Sequence, residues 1–207
     1  MFQETKQKLF HRLYQDDLQQ FERKSAPVVS YVKPKDRVLD FGCGDGRFAK
    51  FFQEKTGCKI LGIDLIDYVS EDIPYQIYGG KQLPFEDNKF DFVVCFGMLH
   101  HTKNPEENLK EVYRVGKKVI LIEDYCSNKF GKLCLHFNDY FINIFQNFYK
   151  VWCGYRKGKV FEMQWKLYFK TEKELRDIFK RNGIDLEFFK RTARTRLGKS
   201  HGIYVLR

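Results

Sequence analysis

Residues 40–46 read Asp-Phe-Gly-Cys-Gly-Asp-Gly, between the apolar run Arg37–Phe41 and a helical pattern over about Arg47–Lys55. No other stretch limits the fold as strongly. A short buried strand has to end in a glycine turn and restart at once as a helix. Glycine takes positive φ without a steric penalty and lets a ligand approach the backbone. The helix start presents free N–H groups and the positive end of a dipole, which suits a carboxylate as well as a phosphate. Asp40, at the carboxyl end of the strand, is placed to take an ammonium group. A second apolar run, Lys59–Asp64, ends in another acid 20 residues after Gly44. A carboxylate there can accept the hydroxyls of a ribose.

Apolar runs and helical patterns alternate along the chain, as in an α/β domain with a parallel sheet. The further strands expected are Tyr75–Tyr78 at an edge, Asp91–Phe96 in the centre, Lys117–Glu123, Leu186–Arg191 and Ile203–Arg207. Residues 65–74 are too few for a full crossover helix. Helices are expected up to about Lys24, over Asn104–Val115, and from the capping box Thr171-x-x-Glu174 to Asn182-Gly183. The expected fold is a Rossmann-like sheet of seven strands, mostly parallel, with helices on both faces and a C-terminal antiparallel hairpin. A chain of 207 residues fits one domain, with residues 1–34 as a helical cap and 127–165 as an aromatic helical insert. The N-terminus lacks a signal-peptide core and no run nears the ~18 apolar residues of a membrane span, so a cytoplasmic protein is expected. The six cysteines form no CxxC pair, and no metal site is expected.

One strand end thus suits an amino-acid moiety and the next a nucleoside; S-adenosylmethionine contains both. The match of Gly44-x-Gly46-x-x-Ala49 to a dinucleotide fingerprint is weak, because Gly44 lies three residues beyond Phe41 and the preceding acid would repel a pyrophosphate. VLDFGCGDGRFAKFF resembles the first motif of class I S-adenosylmethionine-dependent methyltransferases, and LGIDL resembles their second. LPFEDNKFDFVVCFGMLHHTKNPEENLKEVYRV resembles the fourth-strand region of the ubiquinone/menaquinone-biosynthesis type branch. The likeness covers roughly residues 35–125, and KTEKELRDIFKRNGI with two strands after it fits the family's last helix and hairpin. The resemblance implies that Asp40, Gly42, Gly44 and Gly46 bind the methionine end of the cofactor. It also implies that Asp64 binds the ribose, that Leu65 flanks the adenine, and that Phe96 and Gly97 line the cofactor. Its product would be S-adenosylhomocysteine. Three departures stand out. Gly79-Gly80 replaces an Asp-Ala pair that touches the adenine, the Lys-Pro-Gly-Gly turn before the fifth strand is cut to Val115-Gly116-Lys117, and the second crossover is compressed.

Methyl transfer from a sulfonium is an in-line displacement that positioning can accelerate, and a base is needed only if the acceptor must lose a proton. His100 and His101 follow the fourth strand where ligands bind in open α/β sheets, and are the candidate bases; the alternative is a packing role. Glu123, Asp124 and Tyr125 end the fifth strand and are candidates for the substrate side. Tyr14 and Tyr31 precede the motif and either cover the cofactor or, as the favoured role, pack in the core, and Cys95 is assigned to a buried inert thiol. Phe137, Tyr140, Phe141, Ile144, Phe145 and Phe148 recur on one helical face, which either packs on the sheet or forms a substrate-side lid, with Phe141 and Phe145 as its candidate contacts. Residues 150–207 hold 16 basic and 6 acidic residues, which accounts for the whole net charge of +10. Three functions follow as expectations. The first is a methyltransferase for a small-molecule or lipid-like acceptor, with peripheral membrane contact conceivable. The others are an RNA methyltransferase using the basic C-terminal region and a catalytically inactive methyltransferase-like binding protein.

Overall fold

The computed structural model describes residues 18–67, 69–126, 132–133, 168–194 and 199–207. Seven strands form one sheet: β1 (Arg37–Phe41), β2 (Lys59–Asp64), β3 (Tyr75–Ile77), β4 (Phe90–Phe96), β5 (Gly116–Cys126), β6 (Leu186–Arg194) and β7 (Lys199–Leu206). Their order is β3-β2-β1-β4-β5-β7-β6. The first five pair in parallel, and β7 runs antiparallel to both β5 and β6. The helices are α1 (residues 18–29), α2 (Arg47–Thr56), α3 (Pro105–Val115) and α4 (Glu172–Arg181).

Strands buried on both faces need apolar side chains at successive positions rather than at alternate ones. VVC in β4 and VILI in β5 meet that need, and each of these residues is at most 2% exposed. Alternation then divides the core. Leu39, Val93, Cys95, Val119 and Leu121 face α3 and α4. Val38, Val94, Ile120 and Ile122 face α1 and α2, where Val28, Phe48 and Phe52 close the layer. The capping box at Thr171 forms in both directions, with the Thr171 hydroxyl accepting from the Glu174 N–H and Glu174 accepting from the Thr171 N–H. Among its described residues the compressed crossover after β2 contains no helix; it is tied to the glycine turn by the N–H groups of Ser70 and Glu71, which donate to the Asp45 carbonyl.

Three strand bounds differ from the sequence expectation by three residues or more. β5 continues three residues beyond Glu123, β6 reaches Arg194, and β7 starts at Lys199 instead of Ile203. The added residues are mostly polar, so hydropathy does not mark them. They stay extended because the ladder from Glu123↔Gly202 to Cys126↔Lys199 supplies their backbone partners. The C-terminal pair is antiparallel as expected, but β7 lies inside the sheet with β6 at the edge.

Candidate cofactor and substrate cleft

The strand order reverses between β1 and β4, and ligands of open α/β sheets bind at the carboxyl ends of the strands beside such a reversal. A cleft of about 290 Å³ opens there, lined by Phe41 and Gly42 after β1, Asp64, Leu65 and Ile66 after β2, and Tyr78 after β3. Gly97, Met98, His101 and Thr102 close it from the β4 side.

The glycine turn is built as its sequence requires. Gly42, Gly44 and Gly46 have φ of +81°, +58° and +87°, a region that disfavours side chains. A Cβ on Gly42 would lie 2.6 Å from the Met98 side chain, so the turn also depends on close approach. Its N–H groups are engaged within the fold, contrary to the expectation that they stand free for a ligand. Gly42 and Cys43 donate to the Ile63 carbonyl, Gly46 to the Cys43 carbonyl, and Gly44 to Asp64 Oδ2 at 2.9 Å. The turn folds onto the end of β2, and this fixes the distance between the two acids' strands. Gly42 lines the cleft, whereas Gly44 and Gly46 shape the turn behind it.

Asp64 works on both sides. Its Oδ1 accepts the N–H groups of Leu65 and Ile66, and its Oδ2 accepts that of Gly44. A carboxylate has about four acceptor sites, so Oδ2 keeps one for a ligand hydroxyl. Asp40 is 1% exposed, and among the described residues neither of its carboxylate oxygens has a hydrogen-bond partner. Burial, and after it the charge of Asp64, pushes its pKa up to about 8. A buried carboxyl without partners is costly and rare in folded proteins. A cationic ligand group nearby would relieve it. Leu65 is 47% exposed at the rim, an apolar surface where an adenine would sit, while Gly79 has open space around its Cα. The orphaned acid, the second acid in the cleft and the close-approach turn fit the charges and shape of S-adenosylmethionine.

The β4 end separates its two candidates. Gly97 lines the cleft, but Phe96 points to the opposite face and stacks on Phe48 at 4.3 Å between centroids. Of the two histidines, His101 is exposed and lines the cleft. His100 lies behind it, with its Nδ1 paired to Glu123 Oε1 and its ring stacked on Phe169 at 4.9 Å. Glu123 is 2% exposed and serves the β4–α3 turn, not the open cleft. Tyr125 is also enclosed; its hydroxyl accepts from Arg191 Nε at 2.7 Å, away from the cleft lining. Asp124 faces α1, where it meets Lys24 and His201. Tyr31 packs against Phe188, as its assignment to packing expects. Phe141, Phe145 and Tyr14 lie outside the described residues. Cys95 is fully buried and its thiol is pushed up by that burial, as an inert thiol should be. Sequence reasoning missed Met98 and Tyr78 as cleft residues. Neither carries a charge or sits in a recognisable spacing, and both reach the cleft only because the strand ends converge.

A family model described as a methyltransferase domain matches residues 7–187. A stretch of 89 residues is 32% identical to the tRNA U34 carboxymethyltransferase of Sulfurimonas denitrificans, covering 38% of this chain and 30% of that protein. Another of 99 residues is 36% identical to the sterol 24-C-methyltransferase of Schizosaccharomyces pombe, covering 42% and 26%. The matched stretches therefore span less than a third of either relative. Among solved structures, the [4+2]-cyclase SpnF superposes with a TM-score of 0.64 at 14% identity, over 92% of this chain and 80% of that one. A SAM-dependent methyltransferase of Methanosarcina mazei superposes with a TM-score of 0.60 at 20% identity, over 86% and 94%. These likenesses establish a shared fold.

Proposed function

This chain belongs to the class I methyltransferase-domain family, whose cofactor is S-adenosylmethionine, and from that premise we propose that it methylates a small-molecule or lipid-like acceptor in the cytoplasm as a single catalytic domain. The observation that carries the proposal is the lining of the cleft. It is mostly apolar, through Phe41, Leu65, Ile66, Tyr78 and Met98, and none of its described lining residues is a lysine or arginine. Binding to a nucleic-acid backbone draws its strength from lysine and arginine neutralising phosphates, and the described lining offers neither.

The cofactor brings an already activated methyl group on a sulfonium. The chain's own contribution is to hold and orient. Asp40 supplies a buried negative charge for the cationic end, Asp64 Oδ2 accepts from the ribose, and Leu65 covers the base. Met98 and Phe41 pack the middle of the cleft and exclude water, which leaves His101 and Thr102 at the end where an acceptor enters.

A second reading, an RNA methyltransferase, is favoured by the similarity to tRNA U34 carboxymethyltransferases and by the basic C-terminal region. Against it, several of those cations are already paired: Arg176 and Arg191 with Glu172, and Arg181 with Glu106. The decisive experiment incubates the protein with methyl-labelled S-adenosylmethionine and three fractions of a cell extract: lipids, water-soluble small molecules, and RNA. Label in either of the first two supports the proposal. Label in RNA alone replaces it with the second reading. No cofactor binding by calorimetry would leave a binding protein with this fold.

A further inference from the structure

Resting on the methyltransferase reading, we propose that Gly79 leaves the base end of the cofactor cleft unwalled, so that the site holds the adenine by shape and apolar contact and accepts a cofactor whose exocyclic amino group carries an apolar substituent.

Two neighbouring glycines follow β3, and the fold needs one of them. Gly80 has a φ of +78°, and a Cβ there would lie 3.1 Å from Leu65 Cδ2. A side chain would be strained at that φ and would press on the residue that covers the base. Gly79 lies outside the left-handed region, and among the described residues no atom comes within 4 Å of a Cβ built on it. A glycine where other residues fit gives the unfolded chain extra entropy without a gain in the folded state. Backbone conformation and packing among the described residues therefore do not account for Gly79. What it supplies is space.

That space lies beside the cleft. Tyr78, the residue before it, is part of the lining, and its N–H donates to the Asp64 carbonyl at 3.1 Å. Gly80, the residue after it, abuts Leu65, which also lines the cleft. Residues 78–80 thus run along the end of the cleft that Asp64 and Leu65 form. Adenine carries its ribose on the five-membered ring. With the ribose hydroxyls at Asp64, the six-membered ring and its amino group extend past Leu65 toward this segment. Lys81 and Gln82, which follow, are exposed and outside the lining.

Reading an amino group takes a hydrogen-bond acceptor aimed at it. The polar side chains of the described lining are those of Asp64, Tyr78, His101 and Thr102. Asp64 accepts three backbone N–H groups and faces the ribose. His101 and Thr102 belong to the β4 side. Tyr78 rests its ring against Phe41, 6.1 Å between centroids. Leu65, 47% exposed, offers the base an apolar side chain. A group attached to the amino nitrogen then passes Gly79 with its near part against Leu65, and displaces no side-chain acceptor of the described lining.

Calorimetry with the stable product S-adenosylhomocysteine and two analogues tests this. In one analogue the amino group carries a benzyl group, and in the other hydrogen replaces it. The wild type should bind both within ~10-fold of the parent compound, the scale of one lost hydrogen bond. Gly79→Asp and Gly79→Asn fill the space with a hydrogen-bond acceptor, and in each the benzyl analogue should fall at least ~10-fold further behind the parent by the same scale. The ratio of analogue to parent is compared within each protein, so a change in overall affinity does not enter. Rejection of either analogue by the wild type beyond that limit, or an unchanged benzyl ratio in both variants, would overturn the proposal. Failure of the wild type to bind the parent compound sinks the methyltransferase reading and this proposal with it, whereas parent bound and benzyl analogue rejected sinks this proposal alone.

Discussion

Asp40 and Asp64 stand at adjacent strand ends, yet their surroundings give them different work. Asp64 accepts three backbone N–H groups, that of Gly44 in the glycine turn and those of Leu65 and Ile66 after β2, and keeps part of one oxygen for a ligand. The Asp40 carboxylate has no hydrogen-bond partner among the described residues and carries a pKa pushed up to about 8 by burial and by Asp64. In the unfolded chain an aspartate ionises near ~3.9, so the folded state holds this proton more tightly. Its stabilising effect is complete below about pH 4 and is lost as pH rises through about 8. The cofactor-free protein should therefore lose stability over that window, and Asp40→Asn should flatten this part of the pH profile in thermal unfolding. A cation bound nearby favours the carboxylate, so cofactor binding at pH 7 should release protons, measurable by calorimetry in two buffers of different ionisation enthalpy. Equal apparent enthalpies in both buffers would separate Asp40 from the cofactor. Asp64→Ala should weaken cofactor binding by about 1–3 kcal/mol, the range for hydrogen bonds to a charged group; unchanged affinity by calorimetry counts against its assignment.

Helix and strand junctions show how tightly the elements constrain one another. The turn before β5 is so short that α3 ends at Val115 and the strand starts at Gly116. A Cβ on Gly116 would stand 2.5 Å from a Val93 methyl and 3.1 Å from the Val112 carbonyl. Gly116→Ala should therefore cost about 1–3 kcal/mol in denaturant unfolding, the range for overpacking a filled site, although its φ of −117° suits any residue. Thr171→Ala removes one half of the capping box and should cost about 1 kcal/mol, read as a lower denaturant midpoint. Both positions are visible in the sequence, one as a capping box and the other as a shortened loop. The reason a glycine is obligatory at 116 is not visible, because it depends on where β4 lies.

Across the whole molecule, α1 is held against the sheet by a buried ionic cluster as well as by apolar contact. Lys24 Nζ lies 3.3 Å from Asp124 Oδ1, the same carboxylate pairs with His201 from β7, and the Lys24 ammonium sits 5.4 Å from the centre of the Phe96 ring. Removing one partner of a buried ionic cluster typically costs about 3–5 kcal/mol. Asp124→Ala should destabilise the protein by about that much, whereas Lys117→Ala, whose partner Asp91 is reached from the surface, should change stability by less than ~1 kcal/mol. Denaturant midpoints of the two variants make the comparison. The same cluster joins residues from three distant parts of the chain, and nothing in their local patterns links them. Among the described residues no helix is long and apolar enough to cross a membrane.

Element order, the parallel sheet with its antiparallel end, the glycine turn and the two acids are legible in the amino acids alone, because each is written in a local pattern: apolar runs, caps, and glycines at fixed offsets. Which side chains of a strand end face the cleft depends on long-range packing. It sent Phe96, Asp124 and Tyr125 elsewhere, left His101 at the opening, and set His100 against Glu123. The physical reason is that a strand's alternation specifies two faces but not what lies on each. That is settled by the helices and strands, from far along the chain, that pack against them.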